Sequence, residues 1–343
     1  MSIRVYDFDF NLLGETQRPL SREWELVYNG VGSFEASFDV YSDFAAVFAQ
    51  NRYLLIEDGE YQAVCVGSRI KDRLYVYGRT PEWLLSKRVV LPFKSREIFG
   101  ETYTDPETII LYLLDSAYKT PHPIGEDGAV DVNATDESAV CENLIIPEPV
   151  GCEKLTRHFW RNSANPLSDV IADLCDLIGC GYSLRFNVKE KLWRFSLEFG
   201  RERELIVSKS LKNAYDMSLT ESLLEAADGG YYELYSSEDT EENSYGYIGG
   251  ENTGTGLLRW DRVLGAASGL SEARSMLVKY GVSQKVECEM LGAAAGVDYE
   301  LGDTLRVQIE MGSFRTTVSK RVGGISIINS PSSSSVKPVF IDV

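Results

Sequence analysis

Apolar and polar residues alternate along most of the first 80 positions of this 343-residue chain. The alternation over residues 24–28 and 34–40 surrounds Asn29-Gly30, a pair that tolerates positive φ and favours a hairpin turn. Short strands with a turn about every 8–12 residues predict an antiparallel β sandwich or barrel. One helical turn is expected within residues 41–49.

Two amphipathic helices are predicted in the middle of the chain. Asp105 is the expected cap of a helix over 105–118, because a proline follows it and apolar residues recur on one face. Asn165 is expected to cap a second helix over 166–178, which has a continuous apolar stripe. Gly179 is expected to end this second helix.

The remaining segments predict more strands around a third helix. Residues 119–160 contain four prolines and many acidic residues, which indicates a loop-rich segment. β segments at both ends with helices between them predict an α+β fold, mainly β, in which two β domains bracket an insertion. The expected elements are a hairpin of 182–188 with 192–199, a helix near 271–280, strands at 285–290, 303–310, 313–320, 324–328 and 336–341, and a Ser-rich turn at 331–335.

The formal net charge of −18 is unevenly distributed. Residues 101–258 carry 12 basic and 29 acidic groups, so nearly all of the excess lies in the middle of the chain. Such a protein repels phosphates and anionic membranes, so no specific nucleic-acid binding is expected. No stretch approaches 18 uninterrupted apolar residues, so no membrane span is expected. The N-terminus lacks the apolar segment of a secretory signal, and we expect the chain to be made in a cytoplasm.

No set of residues has the spacing of a catalytic, metal or cofactor site. The six cysteines include no C-x-x-C pair, although Cys141 and Cys152 could pair under oxidation. Neither His122 nor His158 has a second histidine or a carboxylate at metal-ligand spacing. A Cys152–His158 nucleophile pair lacks the surrounding sequence of a peptidase, and neither a phosphate-binding loop nor a hydrolase elbow is present.

The acidic residues are densest in a polar segment, 236–256. A glycosidase needs a pair of acids, one of which has a pKa raised by its surroundings. This segment has few apolar residues that could raise a carboxyl pKa, so we expect a solvated loop. Calcium is an alternative ligand, since hard cations prefer clustered oxygens, but the calcium-loop motif is absent. Tyrosines nearby could stack on sugars or pack within strands. The acidic residues are Glu238, Asp239, Glu241 and Glu242, and the tyrosines are Tyr231, Tyr232, Tyr235, Tyr245 and Tyr247.

The most distinctive local pattern is a corner within residues 71–90. An alternating strand ends in a segment that predicts a helix start: Thr80 is expected to cap, and Pro81 suits the first helical position. Glu82 favours the positive end of the helix dipole. A short apolar turn follows, then Lys-Arg and an apolar pair. The residues that define this corner motif are Gly78, Arg79, Pro81, Trp83 and Arg88.

This corner resembles the "strand, Gly-Arg, short helix, Arg, apolar pair" corner of siphovirus tail-hub proteins, a family of tail-tip components of long-tailed bacteriophages. Further segments resemble the same family in the same order, from residue 1 to about residue 225. The family is itself similar to the central baseplate hub of contractile tails. The segments that carry the resemblance are 5–14, 30–35, 71–90, 173–204 and 205–213.

The resemblance implies a structural protein without catalytic residues. It implies two tail-tube-like β-barrels per chain: a first barrel over 1–104, an inserted α+β region over 105–205, and a second barrel over 206–343. Three chains would form a ring of six barrels that continues the tail tube and adapts sixfold to threefold symmetry. DNA would pass through this ring, and the acidic segment 236–256 is a candidate lining for its lumen.

The partners implied by the resemblance are two more copies of the chain and other tail proteins of a virion: distal tail or tube, tape-measure, and fibre or tip proteins. Two alternatives stay open. One is a tail-associated hydrolase of cell wall or glycan, and the other is a host-surface carbohydrate-binding module.

Overall fold

The structure, a computed structural model, describes most of the chain. The described residues are 2–51, 53–90, 93–94, 105–123, 134–151, 160–161, 164–223, 226–234, 244–249, 256–267, 270–278, 280–330 and 333–342.

Seven strands and one helix occupy residues 3–79, and we call these seven the N-terminal strands. The helix is capped by Ser42, whose side chain accepts a hydrogen bond from the Ala45 amide, so the expected single turn extends to eight residues. The elements are β1 (Ile3–Tyr6), β2 (Leu12–Thr16), β3 (Ser21–Val27), β4 (Ser33–Phe38), α1 (Asp43–Gln50), β5 (Leu55–Asp58), β6 (Tyr61–Ile70) and β7 (Leu74–Arg79).

The next part of the chain, which we call the inserted region, contains two helices and a hairpin. It opens with a 3₁₀ helix (Pro81–Lys87), and a second 3₁₀ turn spans Glu137–Ala139. The other elements are β8 (Val89–Val90), β9 (Phe93–Lys94), α2 (Pro106–Tyr118), β10 (Leu144–Ile145), β11 (Trp160–Arg161), β12 (Asn165–Pro166), α3 (Leu167–Ile178), β13 (Gly181–Asn187) and β14 (Leu192–Glu198).

For α2 and α3, the predicted end residues are confirmed in two places and wrong in one. Asp105 caps α2 by accepting a hydrogen bond from the Thr108 amide at 2.8 Å. Gly179 ends α3 with a left-handed φ of 69°, which glycine adopts without steric cost. Asn165, in contrast, does not cap α3: it lies in β12, which pairs with β8. That pairing holds the backbone extended up to Pro166.

The last third of the chain adds nine strands and one helix. β15, β16 and β20–β23 are here called the C-terminal strands, and β17–β19 with α4 are called the small sheet. The elements are β15 (Glu202–Ser208), β16 (Ala214–Ser222), β17 (Gly229–Leu234), β18 (Ser244–Gly249), β19 (Asp261–Ala267), α4 (Leu270–Val278), β20 (Ser283–Met290), β21 (Thr304–Met311), β22 (Phe314–Ser330) and β23 (Ser333–Ile341), with a 3₁₀ turn at Gly256–Leu258.

The N-terminal and C-terminal strands form one sheet of 13 strands. Its order is β16-β20-β23-β22-β3-β4-β7-β6-β5-β1-β2, with β21 beside β22 and β15 beside β21. Among the described residues no ladder closes either set into a barrel. The fold is therefore α+β and mainly β, as predicted, but the two expected barrels correspond to two parts of one continuous sheet.

One strand, β22, joins the two sets. Sequence analysis predicts two separate strands here, 313–320 and 324–328, but the structure has a single strand of 17 residues with a bulge at Val322–Gly324. The first half of β22 pairs with β21, and its second half pairs with β23 on one edge and with β3 on the other. The Gly323 carbonyl accepts a hydrogen bond from the Tyr28 amide at 2.9 Å, where β3 succeeds β21 along this edge.

Both sets of strands are strongly curved. β3 and β5 are four positions apart in the sheet, about 19 Å if the sheet were flat, yet the Arg22 guanidinium of β3 reaches the Asp58 carboxylate of β5 at 2.5 Å. The C-terminal set runs in the order β16-β20-β23-β22-β21-β15, and its two outermost strands are consecutive in the chain. Residues 209–213 connect β15 directly to β16, so the two ends of the C-terminal set are near each other.

Three hydrophobic cores correspond to these parts. The largest is shared by the N-terminal and C-terminal strands and includes Trp24, Phe34, Tyr299 and Phe340. The second packs α2, α3 and the β13–β14 hairpin against the 3₁₀ helix and β1, and the third lies between α4 and the small sheet. In the described part of the chain, no helix has the length and apolar character needed to span a membrane.

Candidate functional site

The corner motif lies at the seam between the N-terminal strands and the inserted region. Gly78 pairs with residues of both β4 and β6, and Arg79 ends β7. Pro81 is buried at the first position of the 3₁₀ helix. Thr80 does not cap this helix as predicted: its hydroxyl accepts a hydrogen bond from the Gly32 amide at 2.9 Å. Thr80 therefore ties the corner to the turn between β3 and β4.

The end of the corner contacts three elements of the inserted region. The Arg88 guanidinium donates to the Ala139 carbonyl at 2.9 Å and lies 5.3 Å from the centre of the Tyr118 ring. The Arg88 carbonyl accepts from the Leu167 amide at 2.8 Å, at the start of α3. Burial raises the pKa of Tyr118 to about 12, so this hydroxyl stays neutral at physiological pH. Arg88 is therefore the motif residue that connects the corner to α2, to the second 3₁₀ turn and to the start of α3.

Trp83 and Lys87 form a smaller contact on the 3₁₀ helix. The Lys87 ammonium lies 3.9 Å from the centre of the Trp83 ring, within the range of a cation–π interaction. Arg79 is exposed.

Glu82 has a partner that sequence analysis did not predict. Its carboxylate is buried and accepts a hydrogen bond from the Leu184 amide at 3.0 Å. Gln62 acts similarly two residues further along β13, accepting from the Phe186 amide at 2.9 Å and donating to the Phe186 carbonyl at 2.7 Å. Because β13 pairs only with β14 among the described strands, these two side chains satisfy its free edge.

A cavity of about 350 Å³ opens beside this edge, where the N-terminal strands, the inserted region and the 294–301 segment meet. Its lining includes three tyrosine rings. Burial raises the pKa of each, that of Tyr28 to about 12. Burial also raises the pKa of Glu82 above its ordinary value, opposed in part by the nearby Arg185 guanidinium. The tyrosines are Tyr28, Tyr61 and Tyr182, and the charged side chains of the lining are Glu60, Glu82, Glu198, Glu300 and Arg185.

The β3–β4 turn bridges the cavity to the inserted region. The Tyr28 hydroxyl donates to the Glu198 carbonyl at 3.1 Å. The Asn29 amide group donates to the Ala172 carbonyl at 2.9 Å and to the Asp176 carboxylate at 2.6 Å. The Asn29 Oδ1 oxygen is buried and has no hydrogen-bond donor among the described residues.

The other candidate residues are dispersed. Glu238, Asp239, Glu241 and Glu242 lie outside the described residues, as do Tyr235, Cys152 and His158. Tyr232 is buried under α4, whereas Tyr231, Tyr245 and Tyr247 are exposed on the small sheet. The rings of Tyr231 and Tyr247 lie 4.9 Å apart across two strands.

The surroundings of the described thiols and acids bear on the thiol and metal-site chemistry that the sequence raises. Burial raises the pKa of Cys65, of Cys141 and, to about 11, of Cys288, which disfavours the nucleophilic thiolate. The ring of His122 contacts the Ala134 carbonyl at 3.0 Å. Within the described ranges, no group of three or more His, Cys, Asp or Glu side chains could hold a metal ion.

The fold matches solved structures of phage tail proteins along its whole length. The 43 kDa tail protein of prophage MuSo2 from Shewanella oneidensis matches with a TM-score of 0.58 at 9% identity, over 100% of this chain and 98% of that one. A tail protein from Neisseria meningitidis MC58 matches with a TM-score of 0.57 at 10% identity, over 100% and 96%. Prophage tail protein gp18 from Listeria monocytogenes EGD-e matches with a TM-score of 0.56 at 12% identity, over 100% and 95%.

No protein-family model and no curated protein matches the sequence. The corner and the other quoted segments nevertheless predict the same class of protein that the three-dimensional comparison finds. The chain has the fold of prophage tail proteins, and the predicted resemblance to phage tail proteins is confirmed at the level of the fold.

Proposed function

We propose that this protein is a structural component of a phage or prophage tail, the hub of the tail tip, and not an enzyme. The observation that carries the proposal is the match of the whole chain, at 100% coverage, to three tail proteins, two of which are named as prophage proteins. This full-length match supports a structural role for the whole chain. The raised thiol pKa values and the absence of a metal-binding group among the described residues agree with a structural role.

The proposed assembly is a ring of three chains. Each chain supplies two curved sets of strands, which we interpret as two tube-like barrel modules. Three chains then present six modules, which would adapt a sixfold tube to a threefold tip. The interpretation of each set as a barrel-like module is supported by the contact between β3 and β5 and by the returning path of the C-terminal strands.

An acidic lumen is a further part of the proposal. The charge excess in residues 101–258 would repel DNA phosphates and let DNA slide through the ring. Glu238, Asp239, Glu241 and Glu242 are the candidate lumen residues. The proposed partners are distal tail or tube, tape-measure and fibre or tip proteins, in a virion tail assembled in the bacterial cytoplasm.

Sedimentation equilibrium over a series of protein concentrations tests the assembly. The hub proposal predicts a mass approaching three times 38.3 kDa as concentration rises. A mass that stays at one chain, or a stable dimer, contradicts it.

Carbohydrate binding is a second candidate function, because a specific surface favours it. Tyr231, Tyr245 and Tyr247 are exposed on one sheet, and aromatic faces of this kind stack on sugar rings. Binding of the purified protein to host cell-wall glycans, lost in a Tyr231→Ala and Tyr247→Ala double variant, would support this function. A zymogram on host cell wall tests the hydrolase alternative, since clearing would indicate an enzyme.

A further inference from the structure

The small sheet has one covered face and one open face. α4 packs on the covered side, where Tyr232 and Ile248 are buried. On the open side Tyr231, Tyr247 and Val263 form one row across the three strands, since β17 pairs Tyr231 with Tyr247 on one edge and with Val263 on the other. All three side chains are exposed, Val263 to 83%. A contiguous apolar row on an exposed sheet is a candidate binding surface.

The Tyr247 ring lies flat on this open face. Tyr247 belongs to β18, and its hydroxyl donates to the Asp261 carboxylate on β19 at 3.0 Å. Between them the ring crosses β17 at Gly229, where an added Cβ atom would clash with the Tyr247 hydroxyl. The glycine therefore makes room for the ring, which rests one face on the sheet and turns the other to solvent.

Arg259 holds the ring in this position. Its guanidinium donates to the Tyr247 hydroxyl at 2.7 Å and to the Asp261 carboxylate at 3.1 Å. Because Tyr247, Arg259 and Asp261 bond one another, the ring is fixed before a ligand arrives, and a preorganised site loses less entropy on binding. The Tyr231 ring stands beside the Tyr247 ring, with 4.9 Å between their centres and 57° between their planes. The two rings form the wall and the floor of a shallow corner.

This corner matches the chemistry of a sugar ring. A pyranose has C–H groups on one face, which stack on an aromatic ring, and hydroxyls around its edge. Hydroxyls both donate and accept hydrogen bonds, so they suit the Asp261 carboxylate, which accepts, and the Arg259 guanidinium, which donates.

The charges of this region favour a neutral sugar. Residues 221–267 carry ten acidic and two basic residues, which repels an anionic polymer. The Arg259 guanidinium lies 5.4 Å from the centre of the Tyr247 ring and repels a second cation there.

We propose that Tyr231, Tyr247, Arg259 and Asp261 form a subsite for a neutral pyranose residue of a glycan. The proposal rests on carbohydrate binding, the second candidate function, and adds to it the stacking position and the charge class of the sugar. It does not depend on the ring of three chains.

Saturation-transfer difference NMR of the full-length protein tests the subsite. The neutral probes are maltohexaose, laminarihexaose and hexa-N-acetylchitohexaose, and the anionic probe is hexagalacturonic acid. At least one neutral probe should receive saturation, most strongly at the C–H protons of one pyranose face. The anionic probe should receive none.

Variants of Tyr247 test the position of the sugar. Tyr247→Ala removes the floor and should weaken binding of the neutral probe at least about tenfold. Tyr247→Phe keeps the ring but loses both hydrogen bonds of the hydroxyl, and it should weaken binding about fivefold. The matched control is Tyr41→Ala, which removes a tyrosine that is 94% exposed and lies outside the small sheet. It should leave the affinity within about twofold of the parent protein.

Each contrary result has a distinct meaning. Absence of binding by every neutral probe overturns the proposal together with the carbohydrate function. Equal binding of the anionic probe overturns the sugar class alone, and equal affinities of Tyr247→Ala and Tyr41→Ala overturn the position alone. A lower sedimentation mass of Tyr247→Ala, without glycan binding by the parent protein, would identify the open face as a contact between copies of the chain and would also overturn the proposal.

Discussion

The N-terminal and C-terminal strands each bury one aspartate beside an arginine, but different kinds of donor hold the two carboxylates. Among the described residues, the Asp58 carboxylate accepts from two side chains, the Arg22 guanidinium at 2.5 Å and the Trp24 indole at 3.1 Å. Both donors lie on β3, fewer than 40 residues earlier in the chain. The Asp58 contacts therefore join two strands, β3 and β5, that are near each other in the chain and lie on a curved set of strands.

Asp303 accepts mainly from the backbone. The Arg201 amide donates at 2.8 Å and the Glu300 amide at 2.9 Å, while the Arg203 guanidinium donates at 2.6 Å. Two of these donors lie about 100 residues earlier in the chain, at the start of β15. The comparison shows that the Asp58 carboxylate joins strands that are near each other in sequence, whereas the Asp303 carboxylate joins segments about 100 residues apart. Because β22 pairs with both sets, we expect them to unfold together.

The largest expected effect comes from removing either aspartate. Asp58→Ala and Asp303→Ala should each lower the free energy of unfolding by about 3 to 5 kcal/mol. Asp58→Ala removes the carboxylate beside the partly buried Arg22. Asp303→Ala removes the acceptor of two backbone amides and the nearer of the two carboxylates beside Arg203. Chemical denaturation followed by tryptophan fluorescence and circular dichroism measures this. Both variants should shift one common transition. Two separate transitions, each sensitive to one aspartate, would contradict the joining of the two sets through β22.

A glycine substitution tests the contact between the segments around residues 200 and 302 by itself. A Cβ atom at Gly200 would lie 1.8 Å from the Gly302 carbonyl oxygen, so the two backbone segments must move apart in Gly200→Ala. The expected loss is about 2 to 3 kcal/mol in the same denaturation experiment.

Gly67→Ala, in the N-terminal set, is the control for Gly200→Ala. No atom lies within 4 Å of its added Cβ. A change of at most about 0.5 kcal/mol is expected. Equal effects at the two glycines would show that the close approach at Gly200 has no energetic consequence.

Glu82 tests the seam between the N-terminal strands and the inserted region. Glu82→Ala should cost about 2 kcal/mol, since it leaves the buried Leu184 amide without an acceptor. Glu82→Gln keeps that acceptor and should cost less.

The pH dependence of stability, compared between the parent protein and Glu82→Gln, separates the charge of Glu82 from its hydrogen bond. Burial raises the pKa of Glu82 in the folded protein, with Arg185 opposing the shift, so the folded state keeps a proton that the unfolded state loses. The Glu82 contribution to stability therefore falls as pH rises through the interval between the unfolded and folded pKa values, above about 4.5. Glu82→Gln removes this contribution, and unfolding free energies measured across that interval should fall less steeply with pH. An unchanged pH slope would contradict the assigned shift.

The smallest expected effect concerns Thr80. Thr80→Val removes the acceptor of the buried Gly32 amide and should cost about 1 kcal/mol, whereas Thr80→Ser keeps the hydroxyl and should recover most of it. Thermal unfolding of the two variants side by side measures the difference. Equal stability of the valine and serine variants would show that this hydrogen bond is not needed at the corner.

Local elements could be predicted from the sequence because their causes are local. The turn at Asn29-Gly30, the cap at Asp105 and the end of α3 at Gly179 each depend on a few neighbouring residues, and all three are confirmed. β20, β21 and β23 could be predicted from alternation as well, within a few residues of their observed bounds.

Partners far apart in the chain could not be predicted in the same way. Alternation indicates a strand but not which strand pairs with it, so the pairing of β3 with β22 was not foreseen. Gly323-Gly324 has the composition of a turn, and only the pairing on both sides keeps this segment extended. Likewise, the corner motif could be recognised from its pattern, but the contact of Glu82 with Leu184 joins residues 102 positions apart.

The central claim is that three copies of this chain build a hollow ring from six β modules. Negative-stain electron microscopy of the associated protein, with class averages viewed down the symmetry axis, tests it most directly. The account predicts a ring with threefold symmetry, six peripheral densities and a central opening wide enough for duplex DNA. Particles without an opening, or rings of another symmetry, would contradict it.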